Sequence, residues 1–210
     1  VADYNKNNKM NGNTINDIYI DDEKRIWMAN YPIGITVLNN RFPKYDWIKH
    51  AIGNKNSLIN NQVNAVIEDS EGDLWFATNN GISLLNTKTQ TWTNYSSSFE
   101  HSSQSKTHIY LTLWELRPGI IWAGGYSSGI FEINKKTHRT DFFTPARYGQ
   151  INIRPDKYIR SIFKDSHNLI WVGGYYHLKC FDLSHNSVKV YPNIHSVNAI
   201  IEKEIGRAHV

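Results

Sequence analysis

Short apolar-rich runs, each closed by Asn, Asp, Gly or Ser, follow one another along the chain, and none sustains a 3.6-residue period. One unit shows the plan. Asn64-Ala65-Val66-Ile67-Glu68 predicts a first strand, closed by the turn Asp69-Ser70-Glu71-Gly72. Leu74-Trp75-Phe76-Ala77-Thr78 predicts a second strand and Gly81-Ile82-Ser83-Leu84-Leu85 a third. Asn86-Thr87-Lys88-Thr89 then turns into a fourth, Thr91-Trp92-Thr93-Asn94-Tyr95. The pattern is all-β.

The unit repeats. Trp27, Trp75, Trp122 and Trp171 stand 48, 47 and 49 residues apart, with the same columns around each. Six residues earlier come Asp21, Asp69, Leu116 and Asp165. Eight and nine earlier, the pairs Tyr19/Ile18, Ile67/Val66, Trp114/Leu113 and Phe163/Ile162 are apolar. Two later the residue is always small: Ala29, Ala77, Gly124, Gly173. A second anchor follows at Gly34, Gly81, Gly129 and, departing from the pattern, His177, each next to an aliphatic residue. Five residues past the anchor stand Asn39, Asn86, Asn134 and Asp182.

A four-stranded unit of this length, repeated radially, is a β-propeller blade. The four tryptophans are then structural wedges between blades, each burying about 150–250 Å², or at most about 4–6 kcal/mol. Small residues two positions later let neighbouring sheets approach, and the Asp before the first turn accepts its backbone N–H groups. The expected fold is a β-propeller fragment of four four-stranded blades plus partial terminal strands. Blades are placed at residues 16–63, 64–108, 109–158 and 159–194. Residues 1–15 would hold the last strand of a preceding blade and a linker, because Val1-Ala2-Asp3-Tyr4 resembles Trp92-Thr93-Asn94-Tyr95. Residues 195–210 would hold the first strand of a truncated fifth blade, whose tryptophan column falls on His209, with 206–210 fitting no column and reading as a foreign tail.

Residues 58–82, from Leu58-Ile59-Asn60-Asn61 to Asn79-Asn80-Gly81-Ile82, resemble the two-component regulator propeller repeat. The likeness is nearly complete in the second repeat, good in the first and fourth, and looser in the third, where Leu116-Arg117-Pro118-Gly119 replaces the Asp turn. The resemblance implies the extracytoplasmic sensor of a hybrid two-component system, periplasmic and carried by an inner-membrane receptor, that detects oligosaccharides released from polysaccharides. It implies two seven-bladed propellers, a β-sandwich and a histidine kinase elsewhere in the whole receptor, and no enzyme activity in this chain. An incomplete propeller would expose apolar faces and sheet edges, so the expectation is either a homodimer through the open ends or terminal strands combined into a reduced fifth blade.

Composition adds limits. The 23 Lys and Arg give a net charge of +4 and are scattered with no basic run, which argues against a nucleic-acid partner. The 24 Asn supply turn chemistry. A single cysteine, Cys180, excludes an internal disulfide, and no apolar run approaches the roughly 20 residues of a membrane helix. The nine His are dispersed without H-E-x-x-H or a Cys cluster, so neither metal nor cofactor is expected.

Strand order places the long loops 49–61, 96–108 and 144–156 at the same end as the strand two–three loops, where binding usually resides. Candidate ligand-binding residues there are Tyr31, Asn79, Asn80, Tyr126, Ser127, Tyr175, Tyr176 and His177, with Arg147 and Arg154 in one long loop for an acidic group. Aromatic planes stack on the apolar faces of sugars, while amides and hydroxyls pair with sugar hydroxyls. The opposite end carries only short turns. Gly125-Tyr126-Ser127-Ser128-Gly129 matches G-x-S-x-G, but the repeat puts it in a strand-to-strand loop, whereas a nucleophile elbow needs a strand-to-helix turn. Two other classes compete. A sialidase-like or lyase-like propeller enzyme is weakened because the Asp69-to-Trp75 turn lies between strands one and two instead of three and four. A WD-type protein-binding scaffold lacks its Gly-His and Trp-Asp dipeptides.

Overall fold

The computed structural model describes residues 14–32, 34–38, 45–95, 108–143 and 157–202. Their strands form four antiparallel sheets, each a four-stranded meander in chain order. The first holds β1 (Thr14–Ile20), β2 (Ile26–Tyr31), β3 (Gly34–Leu38) and β4 (Tyr45–Ile48). The second holds β5 (Val63–Glu68), β6 (Leu74–Thr78), β7 (Gly81–Asn86) and β8 (Thr91–Tyr95). The third holds β9 (Tyr110–Arg117), β10 (Ile120–Gly125), β11 (Ile130–Asn134) and β12 (Thr140–Phe142). The fourth holds β13 (Ile159–Lys164), β14 (Ile170–Gly174), β15 (Leu178–Asp182) and β16 (Ser187–Tyr191). β1 packs on β5, β5 on β9 and β9 on β13, so first strands line a common axis and fourth strands lie outermost. This is propeller geometry.

The apolar core lies between sheets. Trp27, Ala29 and Val37 of the first sheet pack with Val66, Leu74 and Phe76 of the second. Trp75, Ala77 and Leu84 meet Tyr110, Leu113 and Phe131 of the third, and Trp122 and Ile130 meet Ile162, Val172 and Phe181 of the fourth. The small-residue column is explained by contact: a Cβ on Gly124 would stand 2.6 Å from the Ile159 side chain, and one on Gly173 would stand 2.5 Å from Val197. Gly81 has φ +122°, and a Cβ there would meet the Tyr95 carbonyl oxygen at 2.6 Å, so this anchor admits no side chain.

Each buried indole also needs an acceptor for its N–H. The column aspartates supply it: Trp27 Nε1 donates to Asp21 Oδ2 at 2.9 Å, Trp75 to Asp69 at 2.7 Å, and Trp171 to Asp165 at 2.8 Å. The other oxygen of each accepts the turn amides, as Asp69 Oδ1 does from Glu71 and Asp73 at 3.0 Å. Repeat three has Leu116 in that column. There the indole of Trp122 donates to Glu132, its cross-strand partner on β11, at 2.9 Å. Glu132→Leu should therefore lower stability by about 1–3 kcal/mol in chemical denaturation, although the other sheets place Val37, Leu84 and Cys180 opposite their tryptophans.

Two further devices join the sheets. A register shift near the start of β1 and of β5 frees Asn16 and Asn64, whose amides donate to the Val63 and Tyr110 carbonyls of the next sheet at 3.1 and 2.7 Å. The Lys135 ammonium reaches from the third sheet to Asp69, Glu71 and Asp73 of the second at 2.6, 2.8 and 2.8 Å.

Beyond β16 the chain crosses the last sheet. Val197 and Ser196 N–H groups donate to the Gly174 and Tyr175 carbonyls, both at 3.1 Å. Ser166 donates through its amide and hydroxyl to Glu202 at 2.9 and 2.6 Å, as Ser70 does to Glu115 at 2.7 and 3.0 Å. Residues 196–202 thus sit against the fourth sheet as β9 sits against the second. On the other side, β1 leaves Ile18 56% exposed, whereas its counterparts Val66, Leu113 and Ile162 are buried.

Candidate functional site

In the second, third and fourth sheets the loop between second and third strands is bonded to the segment that precedes the first strand: the Asn79 N–H donates to the Gln62 carbonyl at 3.0 Å. Tyr126 follows β10, and its N–H donates to the Ile109 carbonyl at 2.9 Å. Tyr175 follows β14, and its N–H donates to the Tyr158 carbonyl at 3.3 Å. The Tyr126 bond lies within the third sheet's loops and the Tyr175 bond within the fourth's, and the Gly129 N–H, donating to the Lys157 carbonyl at 3.0 Å, ties the two together. The rings form a row: Tyr126 to Tyr158 at 4.9 Å, Tyr158 to Tyr175 at 6.1 Å and Tyr175 to Tyr176 at 5.0 Å between centroids. All three contacts are edge-to-face, with interplanar angles of 66°, 72° and 85°, so neighbouring rings offer faces and edges in alternation. Tyr126, Tyr175 and Tyr176 are 47%, 55% and 58% exposed, which is high for residues so apolar.

A cation and two imidazoles border the row. The guanidinium of Arg160 lies 5.5 Å from the Tyr158 ring centre and donates to the Tyr158 hydroxyl at 3.2 Å and to Asn198 Oδ1 at 2.7 Å. His195 Nδ1 pairs with the Tyr176 carbonyl oxygen, and the His177 and His195 rings lie 6.0 Å apart. Among the described residues, buried Ser128 Oγ and His177 Nδ1 have no hydrogen-bond partner. Such atoms are polar contacts left unfilled by the protein itself.

The sequence candidates fall into distinct places. Tyr126, Tyr175, Tyr176 and His177 are brought together, with Ser127 beside Tyr126 in the same loop. Tyr31 is exposed on the first sheet, away from this row. Asn79 has its amide engaged, accepting from Asn64 at 2.8 Å and donating to Gln62 at 3.0 Å, while Asn80 is exposed at the same turn. Arg147 and Arg154 lie outside the described residues. The Ser127 loop joins strand β10 to strand β11 without a helix, so it lacks the turn a nucleophile elbow requires. Among the described residues, no three His, Cys, Asp or Glu side chains are grouped to hold a metal ion.

Two site residues escaped the sequence reading. Tyr158 precedes β13 in a loop with no recurring column. Arg160 had a signal: it fills the column where Asn16, Asn64 and Asn198 stand, and a cation in place of an amide marks a departure there.

The profile of the family described as two component regulator propeller matches residues 57–80 and 154–176. A search of curated proteins returns no match. Among solved structures, the extracellular domain of the hybrid two component system BT3049 from B. thetaiotaomicron superposes with a TM-score of 0.72 at 22% identity, covering 86% of this chain and 24% of that one. The extracellular domain of the hybrid two component system BT4673 from the same organism gives 0.67 at 18% identity, covering 85% and 25%. U3-55K gives 0.63 at 12% identity over 89% of this chain and 54% of its own. At these identities the likeness concerns the fold, and this chain spans about a quarter of the two receptor domains. The recurring columns and the four radial sheets agree: the described residues form a stretch of β-propeller, in which two segments, 57–80 and 154–176, match two component regulator propeller repeats.

Proposed function

We propose that this chain is part of the ligand-recognising region of an extracytoplasmic, periplasmic receptor in a two-component system, and that it binds an oligosaccharide released from a polysaccharide. The observation that carries the reading is the row of Tyr126, Tyr158, Tyr175 and Tyr176 on the loop end, presenting ring faces beside phenol hydroxyls. Sugar rings pair an apolar face with peripheral hydroxyls, and this surface offers a partner for each. Arg160 adds a fixed cation at its edge, suited to an acidic sugar. The two extracellular receptor domains of like fold support the sensory role, with catalysis assigned to a kinase elsewhere in the receptor. Pairing of two copies across the exposed face of β1 would cover Ile18, and light scattering at rising concentration tests it.

Calorimetric titration with a panel of oligosaccharides tests the reading. Tyr175→Ala should weaken the tightest binder about tenfold, the equivalent of about 1.4 kcal/mol, while leaving the melting temperature in place. Unchanged affinity in that variant, or turnover of any sugar in the panel, would refute it.

A further inference from the structure

Where the second and third sheets meet on the turn end, Trp75 is closed off three ways. Tyr95 stacks on it at 5.6 Å, His138 Nδ1 lies 3.1 Å from the Tyr95 hydroxyl, and the Lys135 ammonium sits within 2.8 Å of Asp69, Glu71 and Asp73. Strand register identifies the counterparts one sheet earlier. Ile48 pairs with Ile35 as Tyr95 pairs with Ile82, and Thr87 and Gln90 follow Asn86 as Lys135 and His138 follow Asn134. None of these closes the first junction. Ile48 has no ring, Thr87 bends back to the Gly72 carbonyl at 2.8 Å, and Gln90 bends back to the Thr87 carbonyl at 2.7 Å.

The result is a cleft of about 530 Å³ between the first two sheets. Ile48, Leu74 and Leu85 supply apolar wall, and the cleft carries four carboxylates, Asp21, Asp22, Glu23 and Glu68, against two cations, Arg25 and Lys88. Arg25 is held by Asp21 at 2.6 Å and by Glu23 at 3.3 Å and stands 5.7 Å from the Trp27 ring centre, while Glu68 accepts the Tyr19 hydroxyl. Net negative charge over an apolar wall favours a cation with an apolar body.

We propose that this cleft is a binding site for an amine, whose ammonium and short aliphatic body would supply from outside what Lys135 and His138 supply at the next junction. It is separate from the tyrosine row and stands whether or not that row binds sugar.

The probe is n-pentylamine, with 1-pentanol as the uncharged control, read in ¹H–¹⁵N spectra at the Trp27 indole N–H that donates to Asp21. The amine should shift that signal saturably, and pentanol should bind at least about tenfold more weakly. Asp22→Asn with Glu23→Gln removes two exposed carboxylates, Glu23 being one that Arg25 holds at 3.3 Å, and should weaken the amine about fivefold. Ile48→Tyr with Thr87→Lys and Gln90→His copies the second junction and should abolish the response. Should that variant fold poorly, the carboxylate pair decides alone. An unsaturable shift, an equal response to pentanol, or unchanged affinity in the carboxylate variant would overturn the proposal.

Discussion

Trp75→Ala should lower the unfolding free energy by about 3–5 kcal/mol, the loss expected for deleting a buried aromatic side chain. Trp75 is fully buried, stacks on Tyr95 at an interplanar angle of 19°, and packs against the third sheet through Tyr110 and Leu113. In a repeat protein each unit is stabilised by its neighbours, so the loss weakens the junction as well as the sheet. Trp75→Phe keeps a ring and loses only the N–H bond to Asp69, so it should cost less than half as much. Chemical denaturation of both variants separates packing from hydrogen bonding. A loss under about 1 kcal/mol in the Ala variant would mean that the indole is not a wedge.

Lys135→Met should cost a similar amount, about 3–5 kcal/mol at neutral pH, because removing one partner of a buried ion group leaves the others uncompensated. The carboxylates of Asp69 and Asp73 are almost wholly inaccessible, and both lie within 2.8 Å of the ammonium. Burial alone would raise the Asp69 carboxyl, but its bonds to Lys135 and the Trp75 indole outweigh that and hold it below its usual value. Burial would lower the Lys135 ammonium, but Asp69, Asp73 and Glu71 instead raise it above the ordinary lysine range. The signs follow from linkage. The Asp69 contribution is complete above about pH 4–5 and fades as pH falls through its depressed folded value; the Lys135 contribution is complete below about pH 10 and fades as pH rises through its elevated one. The difference in stability between wild type and variant should therefore be flat between about pH 5 and 10 and shrink on both sides. A difference that grows toward low pH would contradict the cluster.

The contrast between these residues shows what was legible beforehand. Trp75, Asp69 and Gly81 are recognisable because each answers a requirement that recurs along the chain: a wedge in all four blades, a turn acceptor in three, and a backbone position with no room for a Cβ at Gly34 and Gly81. His177 departs from the glycine anchor, and it is absent from the positive-φ positions, so its turn makes no demand for glycine. Lys135 was not legible in the same way. Its partners lie on another sheet, and periodicity within one repeat carries no trace of them. Tyr158 was overlooked for the same reason, since its ring contacts join two loops far apart in sequence. The cleft at the turn end was hidden too, because a short turn seen in sequence does not reveal whether the neighbouring sheet closes over it.

The most direct test of sugar recognition at the tyrosine row is the ring ¹H–¹³C spectrum of the chain, recorded as an oligosaccharide from the calorimetric panel is added. The account expects the ring signals of Tyr126, Tyr158, Tyr175 and Tyr176 to move together and saturate, while the buried indoles of Trp75 and Trp122 stay fixed. Saturable changes confined to the turn end, or tyrosine signals that never move with any sugar that binds, would contradict it.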